Sequence, residues 1–267
     1  GTAEPDASEF GFNADEFGTS TGDTFVAYLF AHDVQSFGEG GNQSIIKCGG
    51  FNKSSGSDVD VDLGWEPQFV FTTMYGGPSG RGLIDNKRGL FHTENCRFLK
   101  AHGTNAENNS TTKLISAKGF TQGGDTGDWL YMAIRIPDGY VGKPVEDATK
   151  VFALDGSGAG SPGPSFISNF PVDFGLTRKP AQSQSWYTGA RLLKDNYLTT
   201  NSNGNVNTDA EMAWDYSNGF VNGNFFGNSA NQAWMWKRHA GFDVVGYAGD
   251  SNNPRTVYHS LAKEPEM

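Results

Sequence analysis

Several short motifs in this chain carry the residue types of known chemistry. Each is weighed by what its chemistry needs around it. Gly18-Thr19-Ser20-Thr21-Gly22 has the spacing of a nucleophile elbow, which requires a strand before the serine and a helix after it. Polar residues precede Ser20 and an aromatic, strand-like run at 25–30 (FVAYLF) follows, so a surface turn is the better reading. Gly158, Gly160 and Gly163 match the dinucleotide fingerprint, but Pro162 and Pro164 forbid the helix start that would face a pyrophosphate. Asp58-Val59-Asp60-Val61-Asp62-Leu63 alternates strictly, which puts three carboxylates on one strand face and three apolar side chains on the other. Asp58, Asp60 and Asp62 could gather Ca²⁺. The EF-hand pattern fails, because its sixth and twelfth positions are Leu63 and Phe69, and a solvated face that discourages edge pairing is the stronger reading. Gly123-Gly124-Asp125-Thr126-Gly127-Asp128 could also hold calcium, but loops at 18–23 and 223–231 keep its glycines without both carboxylates, as a shared turn would.

None of the five histidines, His32, His92, His102, His239 and His259, falls in an H-x-H or H-E-x-x-H spacing, and Cys48 and Cys96 have no histidine partners at zinc spacing. The two cysteines read as buried or half-buried thiols, with a single disulfide as the alternative. Acid pairs such as Asp15-Glu16 could serve a glycosidase, whose chemistry depends on a carboxyl separation that sequence does not give. Trp186 and Tyr187 lie beside the Ser/Gln-rich stretch at 181–185 and are the best candidates for stacking on a sugar. Trp129, Trp234 and Trp236 sit inside apolar strands, where core packing is the plainer role.

The whole composition narrows the function further. The 267 residues carry a net charge of -10, and 13% are aromatic, with 36 glycines. That acidity, without a Lys/Arg cluster, disfavours nucleic acid and basic anchoring to a membrane. No apolar run approaches the roughly 18 residues of a membrane span.

The elements that would position these residues are strands. Residues 25–30, 68–73, 129–135, 173–177, 233–237 and 242–247 are rich in β-branched and aromatic residues and bounded by turn residues. One modest helical segment appears at 145–152. The fold class is therefore all-β, a tandem of β-sandwich-like (jelly-roll-like) repeats of about 100 residues with little helix.

Internal repetition is the strongest signal. A Gly-Phe pair, a polar Gly-rich loop and an aromatic strand recur from Gly11-Phe12, from Gly119-Phe120 and from Gly219-Phe220. Leu63-Gly64-Trp65-Glu66-Pro67 is echoed by Leu261-Ala262-Lys263-Glu264-Pro265, with Phe170-Pro171-Val172-Asp173-Phe174 as a looser counterpart. The expected organisation is the end of a first unit at 1–33, a second unit at 34–138, a third at 139–238 and the start of another at 239–267, within a longer repetitive polypeptide. The Gly/Ser/Pro stretch at 156–164 reads as a loop or linker.

The run Ala233-Trp234-Met235-Trp236-Lys237-Arg238 with Glu264-Pro265, the strand at 129–135 followed by Asp147-Ala148-Thr149, and Phe170–Phe174 with Ser185-Trp186-Tyr187 resemble the repeated β domains of virion proteins of marine tailed bacteriophages, especially tail-fibre-like and other appendage proteins. The resemblance covers nearly the whole chain, is specific in the aromatic strands and Glu-Pro segments, and is weak in the loops. It implies a non-enzymatic structural protein of the virion, extracellular, that contributes to host attachment. Its partners would be other virion proteins, copies of itself as a trimer, and a host-surface glycan or protein. It supplies no catalytic residues. Two alternatives are a carbohydrate-binding module, calcium-assisted or not, and a capsid decoration protein.

Overall fold

A computed structural model describes residues 24, 27–32, 35–54, 56–75, 80–87, 96–110, 112–143, 145–156, 163–223, 231–247 and 254–266. The chain divides into two compact units, Gly1–Phe30 and Ala31–Met267. In the first, residues 27–30 form no strand, and Tyr28 and Leu29 are exposed. The strand expected at 25–30 is thus corrected over its described part. No described strand pairs with it, and an unpaired strand has no stability of its own. Phe25, Val26, Gly11-Phe12 and the Gly18–Gly22 motif lie outside the described residues, as do Gly158 and Gly160.

The unit Ala31–Met267 is all-β. Its first nine strands are β1 (Ile46–Lys53), β2 (Val59–Asp62), β3 (Pro67–Met74), β4 (Gly82–Asp85), β5 (Cys96–Lys100), β6 (Asn108–Ser110), β7 (Lys113–Ser116), β8 (Gly119–Gln122) and β9 (Gly127–Arg135). The next nine are β10 (Phe152–Asp155), β11 (Phe166–Ile167), β12 (Phe174–Arg178), β13 (Tyr187–Ala190), β14 (Asn196–Thr199), β15 (Asn207–Thr208), β16 (Met212–Ala213), β17 (Gly219–Asn222) and β18 (Gln232–Trp236). The first set forms a large sheet in the order β1-β9-β3-β4-β5-β6 and a small sheet β2-β8-β7. The second set repeats both orders, as β10-β18-β12-β13-β14-β15 and β11-β17-β16. Every pairing among the described residues is antiparallel.

The ladder registers make the repeat residue-specific. Val61 pairs with Phe120 where Phe166 pairs with Phe220, and Val70 pairs with Ala133 where Gly175 pairs with Met235. The Leu63 N–H donates to the Lys118 carbonyl just as the Ser168 N–H donates to that of Asn218. The glycine before each of these phenylalanines has a physical reason. A Cβ on Gly119 would overlap the Val61 carbonyl oxygen, and one on Gly219 would overlap that of Phe166. The turn after the second strand is shared as well. Gly64 and Asn169 both take the left-handed region, at φ 75° and 65°, and Ala262, in the echo near the C-terminus, does so at 59°.

Each set closes its own core between its two sheets. Leu63, Trp65, Val70, Ile84, Phe120 and Ala133 form the first, and Phe166, Phe170, Val172, Met212, Trp214, Phe220, Ala233 and Met235 the second. The two cores solve one packing problem differently. Val70 and Ile84 fill the middle of the first large sheet opposite Ile115, whereas the matching positions in the second are Gly175 and Gly189. The space they leave is taken by Trp214, which stacks on Phe220 with centroids 4.6 Å apart and planes at 10°.

The expected strands at 68–73, 129–135, 173–177 and 233–237 are present as parts of β3, β9, β12 and β18. Two other readings need correction. Residues 145–152 form only a 3-10 turn, Ala148–Lys150, capped by the Asp147 carboxylate, before Phe152 departs to pair with Trp236. Residues 242–247 are not a strand. A single bridge joins Phe242 to His239, and Phe242 instead packs on Phe174 and Trp236, which draws the following chain towards buried charges.

Candidate functional site

Among the described residues, those singled out by sequence do not converge. Asp58, Asp60 and Asp62 are exposed at the edge strand β2 and its approach, with Val59 and Val61 turned towards the core side. Asp60 accepts a hydrogen bond from the Thr121 hydroxyl at 2.6 Å, and Asp62 accepts one from the Gly64 N–H at 2.7 Å. Among the described residues no group of three or more His, Cys, Asp or Glu side chains is placed to hold a metal ion. Trp186 packs against Trp234 with centroids 5.2 Å apart, and the Arg178 guanidinium lies 4.9 Å over its ring. Tyr187 meets Tyr197 edge-on, elsewhere on the strand. Cys48 is a free thiol, and burial raises its pKa. His32 accepts from the Cys48 N–H within β1, and His239 from the Gly241 N–H, which caps the turn after Arg238. In the 123–128 loop, Gly124 and Gly127 hold positive φ, and Asp128 accepts from Asn52, an arrangement of turn and cross-strand pairing.

Chemistry-bearing groups gather instead where the two nine-stranded sets meet. Glu66 enters from the first, placed by the left-handed turn at Gly64 just ahead of β3. From the second come Asp173, which precedes β12, Arg191, which follows β13, and Arg238, which follows β18. Asp243 joins from the segment beyond. The Arg238 Nη1 lies 2.8 and 2.9 Å from the two Glu66 carboxylate oxygens, and both side chains are 4% exposed, so the pair is sealed from water. The same nitrogen lies 3.6 Å from Asp243 and donates to the Val244 carbonyl. Asp173 ties the rest together. It accepts from the Arg238 backbone N–H at 2.7 Å and sits 3.3 Å from the Arg191 Nε, which also donates to the Val172 carbonyl.

Burial pushes the Glu66 carboxyl above its usual range; Arg238 opposes this, and Asp243 and Asp173 reinforce it. Burial works against the Arg238 charge too, but the carboxylates of Glu66, Asp173 and Asp243 outweigh it and raise that pKa. Burial lowers that of Arg191, against the pull of Asp173 and Asp215. A guanidinium only donates hydrogen bonds, so the arrangement holds charge and orients acceptors.

Beside this cluster lies a cleft of about 710 Å³ whose walls include Ile136, Pro137, Val145, Val151 and Pro171, with Arg191 and Arg238 among its lining. A second cleft, about 440 Å³, lies over the small sheet of the first set, between Asp60, Phe120 and the later segment that carries Tyr247 and Tyr258. Lys118 stands 3.8 Å over the Tyr258 ring there. Sequence reasoning missed the ion cluster, because Glu66 and Arg238 are 172 positions apart and each looks like an ordinary surface charge in its own stretch. Compared with known proteins, the chain matches no family model, no curated protein and no solved structure to a significant degree.

Proposed function

We propose that this chain is a non-enzymatic structural protein of a bacteriophage virion, part of a tail fibre or similar appendage, that works outside the cell by geometry and surface contact. The observation that carries the reading is a β sandwich of fixed strand order, made twice in succession and clasped to its neighbour by the buried Glu66–Arg238 pair. A repeated unit with a rigid joint builds length and presents loops at regular intervals, as an attachment arm requires. The phage assignment itself rests on the sequence resemblance. In this reading the repeated units are 34–138 and 139–238. The partners are other virion proteins, further copies of the chain in a trimer, and a glycan or protein on the host surface.

A carbohydrate-binding module is the second reading. The half-exposed Arg178–Trp186–Trp234 stack favours it, because it offers an aromatic face beside a cation. The test is immunogold electron microscopy of gradient-purified phage particles with antibodies to this chain. Gold confined to a projecting appendage supports the first reading. Particles free of the chain, combined with glycan-array binding that Trp186→Ala abolishes, would replace it with the second.

A further inference from the structure

The cleft beside the ion cluster has an electrostatic character opposite to that of the chain. The protein holds 20 basic residues against 30 acidic ones. The cleft lining reverses that balance, with Lys87, Lys143, Lys150, Arg191, Lys237 and Arg238 against Glu146, Asp147 and Asp173. Two of these three carboxylates are already engaged, and both arginines are paired too, with Glu66, Asp173 and Asp243, so the surplus is carried by the lysines. Asp147 accepts from both the Thr149 N–H and its hydroxyl, and Asp173 is held by Arg191 and the Arg238 backbone.

The cleft floor carries a second, independent observation. Arg238 spends only Nη1 on Glu66, Asp243 and Val244. Its Nε and Nη2 are buried and have no hydrogen-bond partner among the described residues, and the Nη2 of Arg191 is in the same condition. Both side chains are more than nine-tenths buried and both line the cleft. Nε–H and Nη2–H of one guanidinium point the same way, so they form an intact two-pronged donor whose spacing matches two oxygens of a carboxylate, sulfate or phosphate. Buried donors left without acceptors are costly, which makes an acceptor at this place favourable.

We propose that this cleft is a binding site for a compact oxyanion-bearing ligand, recognised by the free fork of Arg238, by Arg191 Nη2, and by the lysines of the rim. The volume is that of a small-molecule site. Among the described residues its lining holds the His239 imidazole but no Phe, Tyr or Trp, so recognition is by charge and donor geometry. The three floor donors are themselves buried. The site does not depend on the appendage reading, and it stands or falls by its own measurement.

The test is titration calorimetry on the full chain with inorganic phosphate and, separately, with glucuronate. Ionic strength is held constant with chloride, so that general salt effects cancel. The expected result is saturable one-site binding of at least one of the two, weakened about tenfold or more by Lys150→Gln combined with Lys237→Gln. Lys118→Gln, in the other cleft, leaves binding unchanged, and circular dichroism checks that the double variant is folded. Binding of phosphate alone assigns a phosphate-bearing ligand, and binding of glucuronate alone assigns an acidic sugar or other carboxylate. Absence of saturable heat with both probes, or equal binding by the double variant, overturns the proposal.

Discussion

The Arg238 guanidinium closes on the Glu66 carboxylate across 172 residues of chain, with one nitrogen 2.8 and 2.9 Å from the two oxygens. The pair joins the two sandwiches and is withdrawn from water on both sides. Removing one partner strands the other charge, so Arg238→Met should cost about 3–5 kcal/mol of unfolding free energy in urea. The double variant Glu66→Leu with Arg238→Met should cost less than the single one, because no buried charge is then left alone. A double variant at least as damaged as the single would mean that the pair itself, and not the stranded charge, carries the stability.

The same pair gives a pH signature. The Glu66 pKa is raised in the folded chain, so between its unfolded and folded values the native state binds more protons. Stability from this group is therefore fully present below the unfolded value and lost as pH rises through the folded one. The melting-temperature difference between the natural chain and Glu66→Gln should move against the natural chain as pH rises from the acid side through this window. A difference that stays flat, or moves the other way, would place the proton elsewhere.

Gly119 and Gly219 are required by backbone approach. Alanine at either would drive its methyl into a neighbouring strand's carbonyl, at Val61 or Phe166. Each substitution should cost about 3 kcal/mol or more, at the upper end for a single residue. Gly56→Ala, where a Cβ meets open space, should change stability by less than about 0.5 kcal/mol. Chemical denaturation of the three variants separates these outcomes.

The two cores can be exchanged in part. Gly175→Val presses against Phe220 and Trp214 and should cost about 1–3 kcal/mol by overpacking. Trp214→Ile leaves a void and frees the Lys194 carbonyl, to which the indole N–H now donates at 2.7 Å. It should cost about 2 kcal/mol or more. Gly175→Val and Gly189→Ile added to Trp214→Ile recreate the arrangement of Val70, Ile84 and Ile115. The triple variant should lose less than the sum of its parts, by about 1 kcal/mol or more in denaturant titration.

The repeat was legible in sequence because some of its constraints are local. Gly119 and Gly219 are held by sterics, and Leu63-Gly64 and Leu261-Ala262 by a left-handed turn, so these pairs echo along the chain. The aromatic strands β3, β9, β12 and β18 announced themselves in the same way. Their relative register did not. The ladders set Ile134 opposite Ile46 where Trp236 faces Phe152, which matches Arg135 with Lys237. Arg238, one position further on, pairs with Glu66 at the joint, while Arg135 makes a separate buried pair with Asp138 at 2.7 Å. Residues 242–247 misled because aromatic and β-branched composition marks burial, and here Phe242 is buried by rings and not by a ladder. The ion cluster was not legible as a site, since Glu66, Asp173, Arg191 and the segment of Arg238 and Asp243 are four stretches that only the tertiary fold brings together.

Differential scanning calorimetry of the full chain tests most directly whether the two sandwiches form one clasped module. Glu66 and Arg238 should couple them, giving one transition whose calorimetric and van't Hoff enthalpies agree, and two resolved transitions in Arg238→Met. Two separate transitions in the natural chain, unmoved by Arg238→Met, would contradict it and make the sandwiches independent beads.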